Sequence, residues 1–375
     1  MVGCAMLLAA CGGGGSSTAP APVANGALVV SDCTIAAGAS TCQATIHWSA
    51  TGVAPRVLLA GTTVSTLMAG ATVVAVGVER QTVGLFDGAQ LLEEKSVGGA
   101  CAAASAWDES RCLAFATRTI ERASTPFVEG GLAITLEVVV YRPLGNGPFP
   151  LAIFHHGSTG NGDDPSLFRL TYTNESIARF FAERGWMVAF PQRRGRGASD
   201  GLYDEGFTPD RARYSCLQAP AAAGIERALA DTDAALDWLR TRAEVDAARV
   251  VSAGFSRGGL LAAVHAARRP TAIRGVVNFV GGWLGEGCID AVAVNRGSFV
   301  AAAAFPGAIA WLYGENDPFY SVAHTGANYD AFRAAGGQGT LSVYRRAAGL
   351  SGHLIINDPA LWSSELDAYV RGLAN

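Results

Sequence analysis

Charge is scarce in this sequence. Asp, Glu, Lys and Arg make up 16% of the 375 residues, hydrophobic residues make up 50%, and the formal net charge is −4. The one basic run, Arg193-Arg194-Gly195-Arg196-Gly197, is short and is soon followed by acids. Binding to nucleic acid through its phosphates needs a broad basic surface, so that class of partner is excluded. Metal-ligand spacing is also missing: there is no Cys-x-x-Cys pair and no His cluster, which argues against a zinc site. Past the N-terminus no apolar run is fit to cross a bilayer, since the run 299–314 is interrupted by Pro306. No internal repeat stands out.

What is present is enough apolar material for a large core, and a length that suggests about two domains. The chain has eight cysteines, a number that fits an oxidising compartment. Two of them lie near the start. Leu8-Ala9-Ala10-Cys11 resembles the bacterial lipobox, which implies export and a lipid on Cys11, with small residues before the cleavage site. The Gly/Ser-rich run behind it reads as a flexible tether to residue 26. The membrane then enters only through that N-terminal anchor, and the protein sits in the cell envelope or is secreted. With Cys4 and Cys11 set aside, pairing the remaining cysteines with their sequence neighbours gives Cys33–Cys42, Cys101–Cys112 and Cys216–Cys288. Spacing alone leaves other connectivities open.

Residues 27–98 have a strand texture. Segments such as CQATIHWSA and ATVVAVGVE are short, β-rich and separated by Gly, Ser and Asp, and several alternate apolar with polar. They predict a small all-β sandwich of immunoglobulin-like type, stapled by one disulfide. His47 and Trp48 read as packing residues there, and the partner of this domain is unknown. Residues 99–117 read as a disulfide-stapled linker. From 118 to 375 the texture changes to apolar strands alternating with amphipathic helices. That pattern predicts an α/β domain with a mostly parallel sheet covered on both faces.

The α/β region is organised around Val250 to Arg269. An apolar strand runs into Gly254-Phe255-Ser256-Arg257-Gly258 and then into an amphipathic helix. This is the G-x-S-x-G elbow in the strand-to-helix setting it needs, which lifts the serine hydroxyl clear of the sheet. Gly197-Ala198-Ser199-Asp200-Gly201 fits the same pattern but has no apolar helix behind it, so Ser199 reads as a turn serine. Ligands of such sheets sit at the carboxyl ends of the strands. Two loops there carry Asp317, after the strand 308–313, and His353, after the last strand. A serine needs a base to remove its proton, histidine titrates near neutrality, and a carboxylate orients and stabilises the imidazolium. Asp317-Pro318 also reads as a routine helix start, and Glu315 is the nearest rival acid. His155-His156-Gly157-Ser158 follows an earlier strand. The backbone N–H groups of Ser158 and Arg257 are the expected oxyanion donors, and His155 and His156 shape the loop.

The residues FHHGSTG, FPQRRGRGASDG, SAGFSRGG, LYGENDP and SGH together resemble the dienelactone hydrolase and prolyl-oligopeptidase branch of the α/β-hydrolases, over about 118–375. The order Ser256, Asp317, His353 is the nucleophile, acid and base order of that fold. The resemblance implies an ester or amide hydrolase of small molecules that needs no cofactor. Two departures stand out: a serine replaces the cysteine of dienelactone hydrolases proper, and the N-terminal region is too short for the oligopeptidase β-propeller. The expected function is cleavage of carboxylic esters through an acyl-enzyme on Ser256. The alternatives are a serine peptidase of the same fold and a non-catalytic hydrolase-fold protein that binds the cell envelope. Cys216 and Cys288 both lie in loops at the catalytic face. Their bridge is expected to staple the rim of the pocket, with Trp283 beside it as an apolar wall or as core.

Overall fold

The structure, a computed structural model, describes residues 24–102, 105–107, 110–113, 117–143 and 145–373. Cys11 and most of the tether lie outside the described residues. The chain forms two compact units, 24–35 with 41–100 and 36–40 with 101–373.

In the first unit, β1 (Asn25–Ser31) is followed by the short β2 (Cys33–Ile35) and by β3 (Cys42–Thr51). Next come β4 (Pro55–Leu59), β5 (Thr62–Ser65), β6 (Ala69–Val76), β7 (Gln81–Asp87) and β8 (Gln90–Val97). All but β2 make two antiparallel sheets, ordered β1-β3-β6 and β5-β4-β7-β8. Alternation decides which side chains face inward. Ala44, Ile46 and Trp48 of β3 are buried, with Leu28 and Val76, against Val57, Val83, Leu85 and Val97 of the other sheet. Trp48 therefore packs, whereas His47, one residue out of phase, is exposed rather than packed. A disulfide joins Cys33 to Cys42.

The stretch that follows holds short strands β9 (Gly99–Cys101), β10 (Ala106–Trp107) and β11 (Cys112–Leu113), and a Cys101–Cys112 disulfide. The rest of the second unit is an eight-stranded sheet with helices. Its strands are β12 (Thr117–Glu129), β13 (Leu132–Arg142), β14 (Phe149–His155), β15 (Met187–Pro191), β16 (Val245–Phe255), β17 (Gly275–Phe279), β18 (Ala308–Gly314) and β19 (Gln338–Tyr344). The helices are α1 (Glu175–Ala182), α2 (Gln218–Arg240), α3 (Arg257–Arg268), α4 (Ala291–Ala302), α5 (Val322–Ala334) and α6 (Pro359–Gly372). The strand order is β12-β13-β15-β14-β16-β17-β18-β19. β12 and β13 are antiparallel, and from β15 onward every neighbour is parallel. Every residue of β14, β15 and β17 is buried, as the centre of a doubly covered parallel sheet demands.

Register aligns the carboxyl ends. His155 pairs with Gly254, Gly254 with Asn278, and Gly314 with Tyr344. The loops after β14, β16, β17, β18 and β19 therefore leave from one edge. None of the helices among the described residues is long and apolar enough to cross a membrane.

Candidate active site

The elbow sits where β16 hands over to α3. Ser256 is the single residue between them, with φ 57° and ψ −122°. A non-glycine residue held there stores roughly 1–3 kcal/mol of strain and persists only because its surroundings over-determine it. Backbone hydrogen bonds do so. Ser256 N donates to Phe279 O at 2.9 Å, and Ser256 O accepts from Gly259 N at 2.9 Å and Gly282 N at 3.2 Å. The flanking glycines are required sterically. A Cβ on Gly254 would overlap the Gly258 carbonyl, and one on Gly258 would overlap the His155 carbonyl.

His353 lies in a short 3₁₀ turn, Gly352–Asn357, whose cap Ser351 accepts from the His353 amide. Its Nδ1 is 2.8 Å from Asp317 Oδ2. Asp317 uses its other oxygen locally: Oδ1 accepts from the amides of Phe319 at 2.8 Å and Tyr320 at 3.1 Å. That fixes the carboxylate in the turn before α5. The helix itself starts later, at Val322, with Ser321 as its cap. Glu315, the rival acid, is turned outward and paired with Arg345 at 2.7 Å. The imidazole is enclosed by Phe255, Phe319 and Tyr320, with ring centroids 4.9, 4.8 and 5.8 Å away. Burial pushes the Tyr320 phenol well above the ordinary range, so it stays protonated. Tyr320 thus packs beside the histidine.

On the other flank, β14 delivers the loop 155–159. A Cβ built on Gly157 would sit 3.1 Å from the Ser256 Cβ, so this loop abuts the serine. His155 Nε2 meets Ser252 Oγ at 3.2 Å. His156 Nε2 accepts from Arg193 N at 3.3 Å, so its Nδ1 must carry the proton that it donates to Gly157 O at 2.8 Å. Burial, with Arg193 and Arg196 nearby, drives the His156 imidazole well below its ordinary pKa and keeps it neutral in that tautomer. Among the described residues, neither the Ser158 amide nor the Arg257 amide donates to a protein carbonyl. Both are open donors next to the serine, the second at the first turn of α3, where helix amides lack partners.

A buried ion chain ties these two segments together. The Arg257 guanidinium lies over Tyr214 at 3.7 Å and Trp283 at 4.6 Å, and donates to Trp283 O at 3.1 Å and Glu205 Oε2 at 3.3 Å. The other Glu205 oxygen takes Arg193 Nε at 2.5 Å, and Arg193 donates on to the His156 and Gly157 carbonyls at 2.9 and 3.3 Å. Burial alone would raise the Glu205 carboxyl, but Arg193 and Arg257 outweigh it and hold it below the ordinary range. Nothing in the sequence pointed to Glu205 or Tyr320, and Arg193 stood out only as part of FPQRRGRGASDG, because their roles depend on contacts between separate loops. Trp283 is buried and forms a wall for the Arg257 guanidinium. Cys216 and Cys288 are bonded, and Asp290 N donates to Cys216 O beside them at 3.3 Å.

The remaining candidates have other tasks. Ser199 Oγ donates to Gln192 O at 2.7 Å and accepts from Glu137 N at 2.8 Å, both structural bonds. His265 is buried on α3, and His324 on α5 meets Asn295 at 3.1 Å. Among the described residues no group of three or more His, Cys, Asp or Glu side chains is placed to hold a metal ion. Two clefts, of about 510 and 570 Å³, lie elsewhere, one between β12 and α2 and one at the amino end of β14.

The family model described as the dienelactone hydrolase family matches residues 168–349. Comparison with curated proteins gives no match. Among solved structures, the chain is similar to an esterase of Pyrococcus furiosus, at 15% identity and TM-score 0.49, over 68% of this chain and 91% of that one. It is similar to a putative dienelactone hydrolase of Klebsiella pneumoniae, at 21% identity and TM-score 0.43, over 67% and 98%. It is also similar to Est1E of Butyrivibrio proteoclasticus, solved with ferulic acid, at 16% identity and TM-score 0.44, over 65% and 97%.

Proposed function

We propose that the chain, whose residues 168–349 match the model of the dienelactone hydrolase family, is a serine esterase that forms an acyl-enzyme on Ser256. The observation that carries this reading is the convergence at one sheet edge of a strained, glycine-flanked Ser256 and a His353 bonded to Asp317 at 2.8 Å.

Ser256 Oγ attacks the ester carbonyl while His353 Nε2 takes its proton. Asp317, bonded at Nδ1, holds that tautomer and stabilises the imidazolium. The carbonyl oxygen, now negative, is received by the Arg257 and Ser158 amides, and each such donor is worth about 100- to 1000-fold in rate. Collapse of the tetrahedral species expels the alcohol, which takes the proton back from His353. Water then enters, gives a proton to His353, and attacks the acyl group, releasing the acid and restoring Ser256. Catalysis is assigned to 118–375, with 27–98 as a separate β domain and 99–117 as the linker.

The test is a nitrophenyl-ester assay of the wild type and Ser256→Ala. Loss of turnover by at least about 10⁴-fold in the variant is expected, because the members of such a cluster act as a unit. Turnover confined to peptide anilides would replace the esterase with a peptidase, and no turnover of either would leave a binding protein.

The three disulfides suit an oxidising compartment outside the cytoplasm. We propose Cys11 as the lipidated residue that holds the protein in the cell envelope. A Cys11→Ala variant should leave the membrane fraction and appear in the soluble one.

A further inference from the structure

Tyr214 belongs to neither oxyanion segment, yet it grips both. Its hydroxyl accepts from Thr159 N at 3.1 Å and lies 2.7 Å from Thr159 Oγ1. The Tyr203 hydroxyl joins them, 2.6 Å from that of Tyr214. The Tyr214 ring carries the Arg257 guanidinium on its face, 3.7 Å from the centroid. One side chain therefore spans from the residue after Ser158 to the residue after Ser256. Its surroundings hold it there. Tyr214 N donates to Asn161 O at 2.9 Å, the Phe207 ring lies 4.9 Å away, and Cys216, two residues on, is bonded to Cys288. These contacts close a circuit. From Thr159 it runs through Tyr214, Arg257, Glu205 and Arg193 back to the carbonyls of His156 and Gly157. The loop 156–159 is held by its carbonyls at one end and by an amide at the other. Thr159 N, a competing donor one residue beyond Ser158, is spent on the phenol, and Ser158 N stays open between the two grips.

We infer that Tyr214 is a positioning residue for the reaction: its hydroxyl withdraws the Thr159 amide and fixes the Ser158 amide, and its ring sets the distance to the Arg257 amide. The inference rests on the esterase reading above. Oxyanion donors work only where they match the place at which negative charge develops, and a displacement of about 1 Å can cost about 100-fold in rate. Acting through the two donors, Tyr214 changes stabilisation of the transition state and leaves binding of the ground state alone. Its loss is therefore read in kcat rather than in KM.

The experiment uses the full chain with nitrophenyl acetate and the corresponding thionoester, in which sulfur replaces the carbonyl oxygen. Sulfur is larger and accepts hydrogen bonds poorly, so well-placed donors reject it and loosened ones reject it less. Tyr214→Phe keeps the ring under Arg257 and removes the hydroxyl. It should melt near the wild-type temperature and lower kcat on the oxygen ester about 10- to 100-fold with little change in KM. The ratio of oxygen-ester to thionoester rates should narrow about tenfold. An unchanged ratio in Tyr214→Phe, even with a lower kcat, makes its role structural and overturns the inference. If Tyr214→Phe does not fold, Arg257→Lys decides: it keeps a cation beside Glu205, takes the flat guanidinium off the ring, and should narrow the ratio as well, an unchanged ratio again overturning the inference. If the wild type cleaves neither ester, the esterase reading fails, and this inference with it.

Discussion

Asp317 shows how one side chain can satisfy two demands. One oxygen is tied into its own turn by the Phe319 and Tyr320 amides, which leaves the other fixed towards His353. Replacing it with Asn keeps the shape but offers the imidazole a donor where it needs an acceptor. Asp317→Asn should lower kcat about 10⁴-fold with little change in KM. Glu205 makes a different case. It bridges two buried arginines, Arg257 on one oxyanion segment and Arg193, which donates to the carbonyls of the other. Glu205→Ala leaves both charges unpaired and should cost about 3–5 kcal/mol in chemical denaturation. Glu205→Gln should fold and lower kcat more than it raises KM, since it loosens the spacing of the Ser158 and Arg257 amides. Equal kcat for the Gln variant would confine Glu205 to stability. Ser256, Asp317 and His353 were legible as candidates because motif and chain order name them. Glu205 was not, because a glutamate in a Gly-rich loop looks like any solvated acid until its partners 12 and 52 residues away are in place.

At the scale of elements, the elbow depends on backbone contact between β16, α3 and β14. Gly258→Ala would drive a methyl into the His155 carbonyl. It should cost roughly 1–3 kcal/mol, as overpacking does, and lower activity with it, both measurable by melting and ester assay. The Cys216–Cys288 bridge closes a loop of 72 residues. A double Cys→Ser variant should keep the fold and lose roughly 2–4 kcal/mol. Most of the sheet could be read from its apolar runs, which are pure because both faces are covered. Two elements could not. β12 is the sheet's edge, so it is rich in Thr, Ser and Arg and tolerates Pro126 at the register shift between Ser124 and Val128. α4 begins Ala291-Val292-Ala293-Val294, which alternates as a strand would and carries Gly297 inside it.

For the molecule as a whole, acid should be destabilising in two stages. Burial lowers the imidazoles of His155, His156, His265 and His324 below their ordinary value of 6.5. Each binds its proton more weakly when folded than when unfolded. Its contribution is complete above 6.5 and is lost as pH falls from there towards the folded value. Glu205, also lowered, adds a second loss below its ordinary 4.5. Calorimetry should therefore give a lower melting temperature at pH 5 than at pH 7.5, and His156→Gln should flatten that slope. A melting temperature that rises on acidification would contradict the burial of these groups.

The most direct test asks which atom of this protein is the nucleophile. The full chain is treated with a fluorophosphonate and digested, and the adduct is located by mass spectrometry. The account predicts a single stoichiometric adduct on Ser256, absent from Ser256→Ala and slowed in His353→Ala. An unlabelled protein, or an adduct on Ser199 with Ser256 free, would contradict it.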